Sequence, residues 1–81
     1  MVANEMLKSW INLDNRRYYN ALLQPDLFGE WSLMRNWGSL DNARGQVRIE
    51  TVSGPQTGLR KITDIHMRRL AHGYRLVADR S

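Results

Sequence analysis

Two stretches of this chain alternate in side-chain character with a period of two, and that period belongs to β-structure. Across residues 30–37, Trp31, Leu33, Arg35 and Trp37 fall on one face, and Glu30, Ser32, Met34 and Asn36 on the other. Across residues 46–52, Val47, Ile49 and Thr51 oppose Arg48, Glu50 and Val52. The segment between them, residues 38–45, is polar and carries a glycine at each end, so the simplest arrangement is an antiparallel pair. A further strand is expected over residues 17–23, where Tyr18 and Tyr19 favour extended backbone. Gln24-Pro25-Asp26 ends it, because proline lacks an amide donor and aspartate suits a turn.

After Ser53-Gly54-Pro55 the period changes. Leu59, Ile62, His66 and Leu70 follow i, i+3, i+7, i+11 and form one stripe, with Arg60, Lys61, Asp64 and Arg68 away from it. Pro55 suits the first turn of this helix and Gly73 its end. Residues 74–77 read as a last short strand. Met6, Leu7, Trp10 and Ile11 fall at helical spacing, but the stretch is short, so residues 1–14 read as an N-terminal arm or short element. Residues 15–78 form the domain, and residues 79–81 a tail. A helix with one apolar stripe and a sheet with one apolar face each need a partner. The expected fold class is therefore α+β: a small, mainly antiparallel sheet with one amphipathic helix packed on one face.

Eighty-one residues suffice for one such domain. The chain has no cysteine, so neither a disulfide nor a thiolate zinc site is expected. Residues 1–8 lack the apolar core of a signal peptide, and no apolar run approaches a membrane span of about 20 residues. The expectation is a soluble cytoplasmic protein with no membrane partner.

Catalytic chemistry finds little support. His66 and His72 lie six residues apart, about 240° around a helix axis, so they make no ligand pair. His66, on the apolar stripe, reads as a hydrogen-bonded core or boundary histidine. Asp64 reads as part of a helix-surface ion-pair cluster with Arg60, Lys61 and Arg68. No nucleophile elbow, phosphate loop or metal-ligand spacing is present, so no catalytic residue, metal, cofactor or small-molecule substrate is expected.

The basic residues carry more information. Residues 1–40 hold four basic and four acidic residues and cancel, while residues 41–81 hold eight basic and four acidic and carry the whole net charge of +4. Arginines outnumber lysines ten to two, and a planar guanidinium suits phosphate oxygens. A localised cationic excess points to an anionic partner. Arg35, Arg44 and Arg48 surround the Trp37-Gly38 loop, where an indole can meet a base or sugar while arginines hold phosphates. Trp37 reads equally as core, since it shares a face with Trp31 and Leu33. Lys61, Arg60 and Arg68 read equally as a solvated helix face.

Taken together, Tyr18-Tyr19, the run from Gln24 to Leu33, Arg35-Asn36-Trp37-Gly38, Gly45-Gln46-Val47-Arg48 and a helix ending before Gly73-Tyr74 resemble the WGR domain, over about residues 17–77. The chain is most similar to the short stand-alone bacterial members. The domain also occurs in DNA-damage-responsive poly(ADP-ribose) polymerases. The resemblance implies an antiparallel sheet with a helix packed on it, and DNA binding near a strand end, with the signature Trp touching the terminal nucleotide. Trp37 and Gly38 match the first two signature residues. Ser39 stands where the family carries Arg, so that residue's role does not transfer, and Arg35 or Arg44 is the candidate for a compensating charge. The expected function is a non-enzymatic nucleic-acid-binding module. DNA comes first as ligand (duplex ends, or weakly sequence-specific), held by Trp37, Gly38, Arg35, Arg44, Arg48 and Lys61. The alternative is a protein-interaction or homo-oligomerisation module, using a sheet edge or an apolar patch around Met6, Trp10 and Ile11.

Overall fold

In a computed structural model, which describes residues 5–80, the chain forms five strands and one helix. These are β1 (Met6–Asn12), β2 (Arg17–Pro25), β3 (Trp31–Ser39), β4 (Gly45–Val52), α1 (Pro55–Ala71) and β5 (Arg75–Arg80). The strands form a single antiparallel sheet in the order β4-β3-β2-β1-β5. This is the expected α+β class.

The alternation seen in the sequence becomes the two faces of this sheet. Register pairs Leu23 with Leu33 and Tyr19 with Trp37 across β2 and β3, and Arg35 with Arg48 across β3 and β4. Partners across a ladder point to the same side. Tyr19, Ala21, Leu23, Leu33, Val52 and Trp10 thus share a face, and α1 closes it with Ile62 and Ile65 to make the buried core. α1 runs along the middle strand, opposite in direction: Gly58 sits against Leu23, and Arg69 lies over the Tyr19 ring.

The helix contacts the sheet through Gly58, Ile62 and Ile65, so the stripe read from the sequence shares Ile62 with the contact line and otherwise lies along its margin. Leu70 is 44% exposed, and Leu59 and His66 are half-buried. A glycine lets the helix backbone approach the sheet most closely, so the contact line centres on Gly58, which a count of apolar residues ignores. A Cβ on Gly58 would overlap the Leu23 methyls. His66 is the boundary histidine expected: the Trp10 indole N–H donates to its Nδ1 at 3.0 Å.

The N-terminal segment is not a peripheral arm. β1 lies between β2 and β5, and Trp10 is fully buried under α1. Trp10 and Ile11 point to opposite faces, so the apolar patch expected around Met6, Trp10 and Ile11 does not exist as one surface. A strand that keeps apolar residues on both faces loses its alternation and mimics a helical period. At the other end, β5 continues through Asp79 and Arg80, past the expected domain end at residue 78. A register shift between Ser9 and Trp10 accommodates it against β1.

Gly73 ends the helix as expected, at φ +85°, a left-handed conformation that glycine adopts freely. The amides of Gly73 and Tyr74 donate to the carbonyls of Leu70 and Arg69, at 3.1 and 2.9 Å. Buried Asn12 joins this corner to the β1–β2 turn. Its Nδ2 donates to the His72 carbonyl at 3.0 Å, and its Oδ1 accepts from the Asp14 amide at 2.9 Å.

Gly58→Ala is expected to lower stability despite a helix-propensity gain of about 1 kcal/mol. Forcing a methyl against fully buried Leu23 costs about 1–3 kcal/mol. Chemical denaturation of the variant beside the wild type reads the difference.

Candidate nucleic-acid interface

Because α1 lies over the middle strand, it leaves the β3–β4 side of the same face open. A cleft of about 230 Å³ remains there, with Leu33 and Arg35 on its floor, Arg48 and Glu50 on its sheet side, and Lys61, Asp64 and Arg68 on its helix side. Further along β3 and β4 the face continues into a recess formed by Arg17, Trp37, Gly38, Arg44, Gly45 and Gln46. The two are adjacent because side chains two residues apart on a strand share a face: Trp37 follows Arg35, and Gln46 precedes Arg48.

Trp37 is half-buried and neither sealed nor free. One side of its indole stacks on Tyr19, with ring centroids 5.7 Å apart and planes 12° from parallel. The Arg69 guanidinium lies over the Tyr19 ring at 4.6 Å and 5.0 Å from the Tyr74 ring. This cluster of cation and rings sets the indole at the mouth of the recess. Cation–π and stacking contacts of this kind contribute about 0.5–1.5 kcal/mol each.

Gly38 and Gly45 face each other across β3 and β4, on the side of the sheet away from α1. The Tyr18 hydroxyl occupies the space their side chains would take, 2.9 Å from a Cβ placed on Gly38 and 2.6 Å from one on Gly45. A methyl at Gly38 would also meet the Arg44 carbonyl at 2.7 Å. The glycine after Trp37 is thus required by the close approach of Tyr18 and of the neighbouring strand. The loop beyond is held by Ser39, whose hydroxyl accepts from the Asp41 amide at 3.0 Å, and by Asn42, whose Oδ1 accepts from the Arg44 amide at 2.9 Å. Arg16, at φ +55°, bonds Asp41 through its Nε at 2.7 Å and so ties the β1–β2 turn to the same loop.

Glu50 organises the cleft. Lys61 Nζ donates to its Oε2 at 2.9 Å, and an Arg35 Nη2 lies 3.5 Å from its Oε1. The hydrogen bond from Lys61, with the charges of Lys61, Arg35 and Arg48, holds the Glu50 carboxyl below its ordinary value of 4.5 against an opposing effect of burial. The helix-surface cluster expected around Asp64 does not form: among the described residues, the Asp64 carboxylate lies within 4.0 Å of no cation. Lys61 turns instead to Glu50, a half-buried carboxylate fixed on the facing strand, whose position costs less side-chain entropy to meet.

Of the residues proposed from sequence, Arg35, Arg48 and Lys61 meet in the cleft, and Trp37, Gly38 and Arg44 in the recess. They differ in availability. Arg35 and Lys61 are engaged by Glu50, whereas among the described residues Arg44 and Arg48 have no ion-pair partner and are exposed. Sequence reading missed Arg17 and Gln46 as site residues and left Arg68 open between a solvated helix face and a phosphate contact. Arg17 shares the parity of Tyr19 on β2, but only the β2–β3 register brings it beside Trp37.

A small sheet-and-helix domain whose one uncovered half-face gathers cations around an aromatic side chain is a binding module in class. The chain belongs to the WGR domain family, whose model matches residues 6–80. It is accordingly a non-catalytic module with a role in nucleic-acid or protein interaction. It is also similar to the uncharacterised protein y4dW of Sinorhizobium fredii, at 30% identity over 59 residues. That match covers 73% of this chain and 28% of the relative, so the chain spans little more than a quarter of that protein. No solved structure gave a significant match.

Two outcomes are expected. Gly38→Ala lowers stability more than Gly45→Ala does, because the first methyl meets a backbone carbonyl at 2.7 Å and the second chiefly a side-chain tip at 2.6 Å. Thermal unfolding of both variants ranks them. Second, since folding lowers the Glu50 pKa, its contribution to stability is full above about pH 4.5 and is lost as pH falls through the lower folded value. Glu50→Gln removes that part of the acid limb in a stability-against-pH profile.

Proposed function

We propose that this domain binds nucleic acid along the groove between α1 and β4, with duplex DNA bearing a free end as its ligand. One observation carries the reading. The cleft and the recess together hold six basic side chains (Arg17, Arg35, Arg44, Arg48, Lys61 and Arg68) and two acidic ones, Glu50 and Asp64. Their balance equals the chain's entire formal excess of +4, so the remaining charges cancel. A scattered excess serves solubility, whereas a gathered one concentrates potential where a polyanion docks.

The groove divides the labour. Arg44, Arg48, Arg17 and Arg68 contact phosphates. Arg35 and Lys61 contribute charge while tethered to Glu50, which keeps the cleft walls at a fixed spacing. Trp37, braced by Tyr19, offers its indole to a terminal base or sugar. Membership of the WGR family supports a strand end as the target. Arg44, beside Trp37 in the recess, takes the part of the arginine that Ser39 replaces. Arg35 is bound elsewhere and does not.

Phosphate neutralisation releases counterions, so affinity falls steeply with salt. Titration of a labelled blunt-ended duplex at about 50 mM salt is expected to show binding in the micromolar range, since even non-specific affinities reach about 10⁻⁴–10⁻⁶ M. Arg44→Ala and Arg48→Ala should each weaken binding on every sequence tested and flatten the salt dependence by about one unit of slope. Both residues are exposed, so folding is unaffected. A lack of binding at tens of micromolar protein, or variants that bind like the wild type, overturns the reading.

A further inference from the structure

The β2–β3 loop lies at the opposite end of the strands from Trp37, and it is built rather than loose. The Asp26 carboxylate Oδ1 accepts from the amides of Phe28 and Glu30, at 2.8 and 3.0 Å. The Gly29 amide donates to the Asp26 carbonyl at 3.2 Å, and Gly29 takes a φ of +80°. This ordered turn presents the two most solvent-exposed large apolar side chains of the domain, Leu27 at 99% and Phe28 at 89%. Neither supports the fold. A pair of large apolar groups held rigidly in water is the form of a binding anchor.

The sheet face away from α1 supplies a matching surface. Leu7, Leu22 and Met34, from three neighbouring strands, line a recess of about 310 Å³ together with Ser9, Asn20 and Asn36. This is about twice the 150 Å³ cavity known to accept a benzene ring. Every residue that β1–β4 place on this face by register is uncharged. The charges beside it are Arg80 and Arg75 of the β5 edge, paired beside Leu7 and Ile11, and Glu5, which lines a second recess with Leu7, Leu22 and Arg80. Among the described residues neither arginine has an ion-pair partner. The anchor is flanked by the opposite sign, Asp26 and Glu30. Within one copy the loop is fixed beyond the strand ends by Asp26 and does not fold onto its own sheet.

We propose that two copies of this chain associate by inserting the Leu27-Phe28 turn of each into the Leu7-Leu22-Met34 recess of the other, with Glu30 of one copy against Arg80 of its partner. Reciprocal exchange about a two-fold axis closes the assembly as a dimer. The same acidic flanks disfavour an anionic lipid surface as the occupant. The contact uses neither Trp37 nor the α1–β4 groove, so it stands or falls independently of nucleic-acid binding.

Sedimentation velocity from about 10 µM to 1 mM protein tests it, a range suited to an interface at the small end of the usual sizes. The wild type is expected to move with concentration from its 9.5 kDa monomer mass toward twice that value. Phe28→Ser, which leaves the Asp26 turn intact, should weaken the dimer by about tenfold or more, as loss of an anchor does. Arg80→Glu should weaken it as well, and the double variant Arg80→Glu/Glu30→Arg should recover it. A wild type that stays monomeric throughout overturns the proposal, whatever other protein the turn binds. So does a dimer that neither single variant weakens.

Discussion

The packing of α1 along β2 is the contact on which everything else in this domain rests. Ile62 and Ile65 close one buried core with Leu23, Leu33 and Ala21, and Gly58 allows the helix to sit closer than any other residue would permit at that point. Each large apolar side chain buried there contributes about 1.5–3 kcal/mol. The lateral position of the helix also decides what stays open. Centred on the third of five strands, it seals Trp10 on one side and on the other leaves the face of β4 open from Gln46 to Glu50, short of buried Val52.

That uncovered half-face explains the electrostatics. A sheet face designed only for a core would not place Arg35 opposite Arg48, since like charges directly across a ladder repel. Here the repulsion is relieved by Glu50 and Lys61, which complete an alternating cluster, and by water above Arg48. The arrangement keeps Arg35 beside an apolar core with Glu50 as its ion-pair partner, while the Nε atoms of Arg35 and Arg69 are buried without a hydrogen-bond partner. The result is a rigid cationic wall whose aromatic member, Trp37, is fixed by Tyr19 rather than by the helix. The two ends of the sheet are thus specialised differently. One end gathers charge around a half-buried ring, and the other holds apolar side chains in full contact with water.

Much of this was legible in the sequence. The alternation at 31–37 and 46–52 assigned faces correctly, and Arg35, Trp37 and Arg48 lie where it put them. Pro55 and Gly73 marked the helix ends to within two residues. Where reading failed, the signal was mixed or silent. β1 is covered on one face by α1 and carries Leu7 and Ile11 on the other, so its apolar residues do not alternate, and a central strand resembled an amphipathic turn. The helix contact line was only partly found: Ile62 lies on it, but Ile65 and Gly58, the latter recorded by no hydrophobicity pattern, fell outside the stripe. Asp64 stood beside three cations in sequence, yet Lys61 found a better-placed carboxylate on another strand.

Apart from β1, sequence alone determined the secondary-structure types, together with which residues of β3 and β4 share a face, the cationic excess and the Trp-Gly signature, because all of these follow from local periodicity and composition. Only tertiary structure decided which cations are free and which are spent on Glu50, that Arg17 and Arg68 join the groove, and that Leu27 and Phe28 stand in water. Those outcomes depend on strand register and on where the helix lies. Register and helix placement are set by contacts between residues far apart in the chain, which no short window of sequence contains.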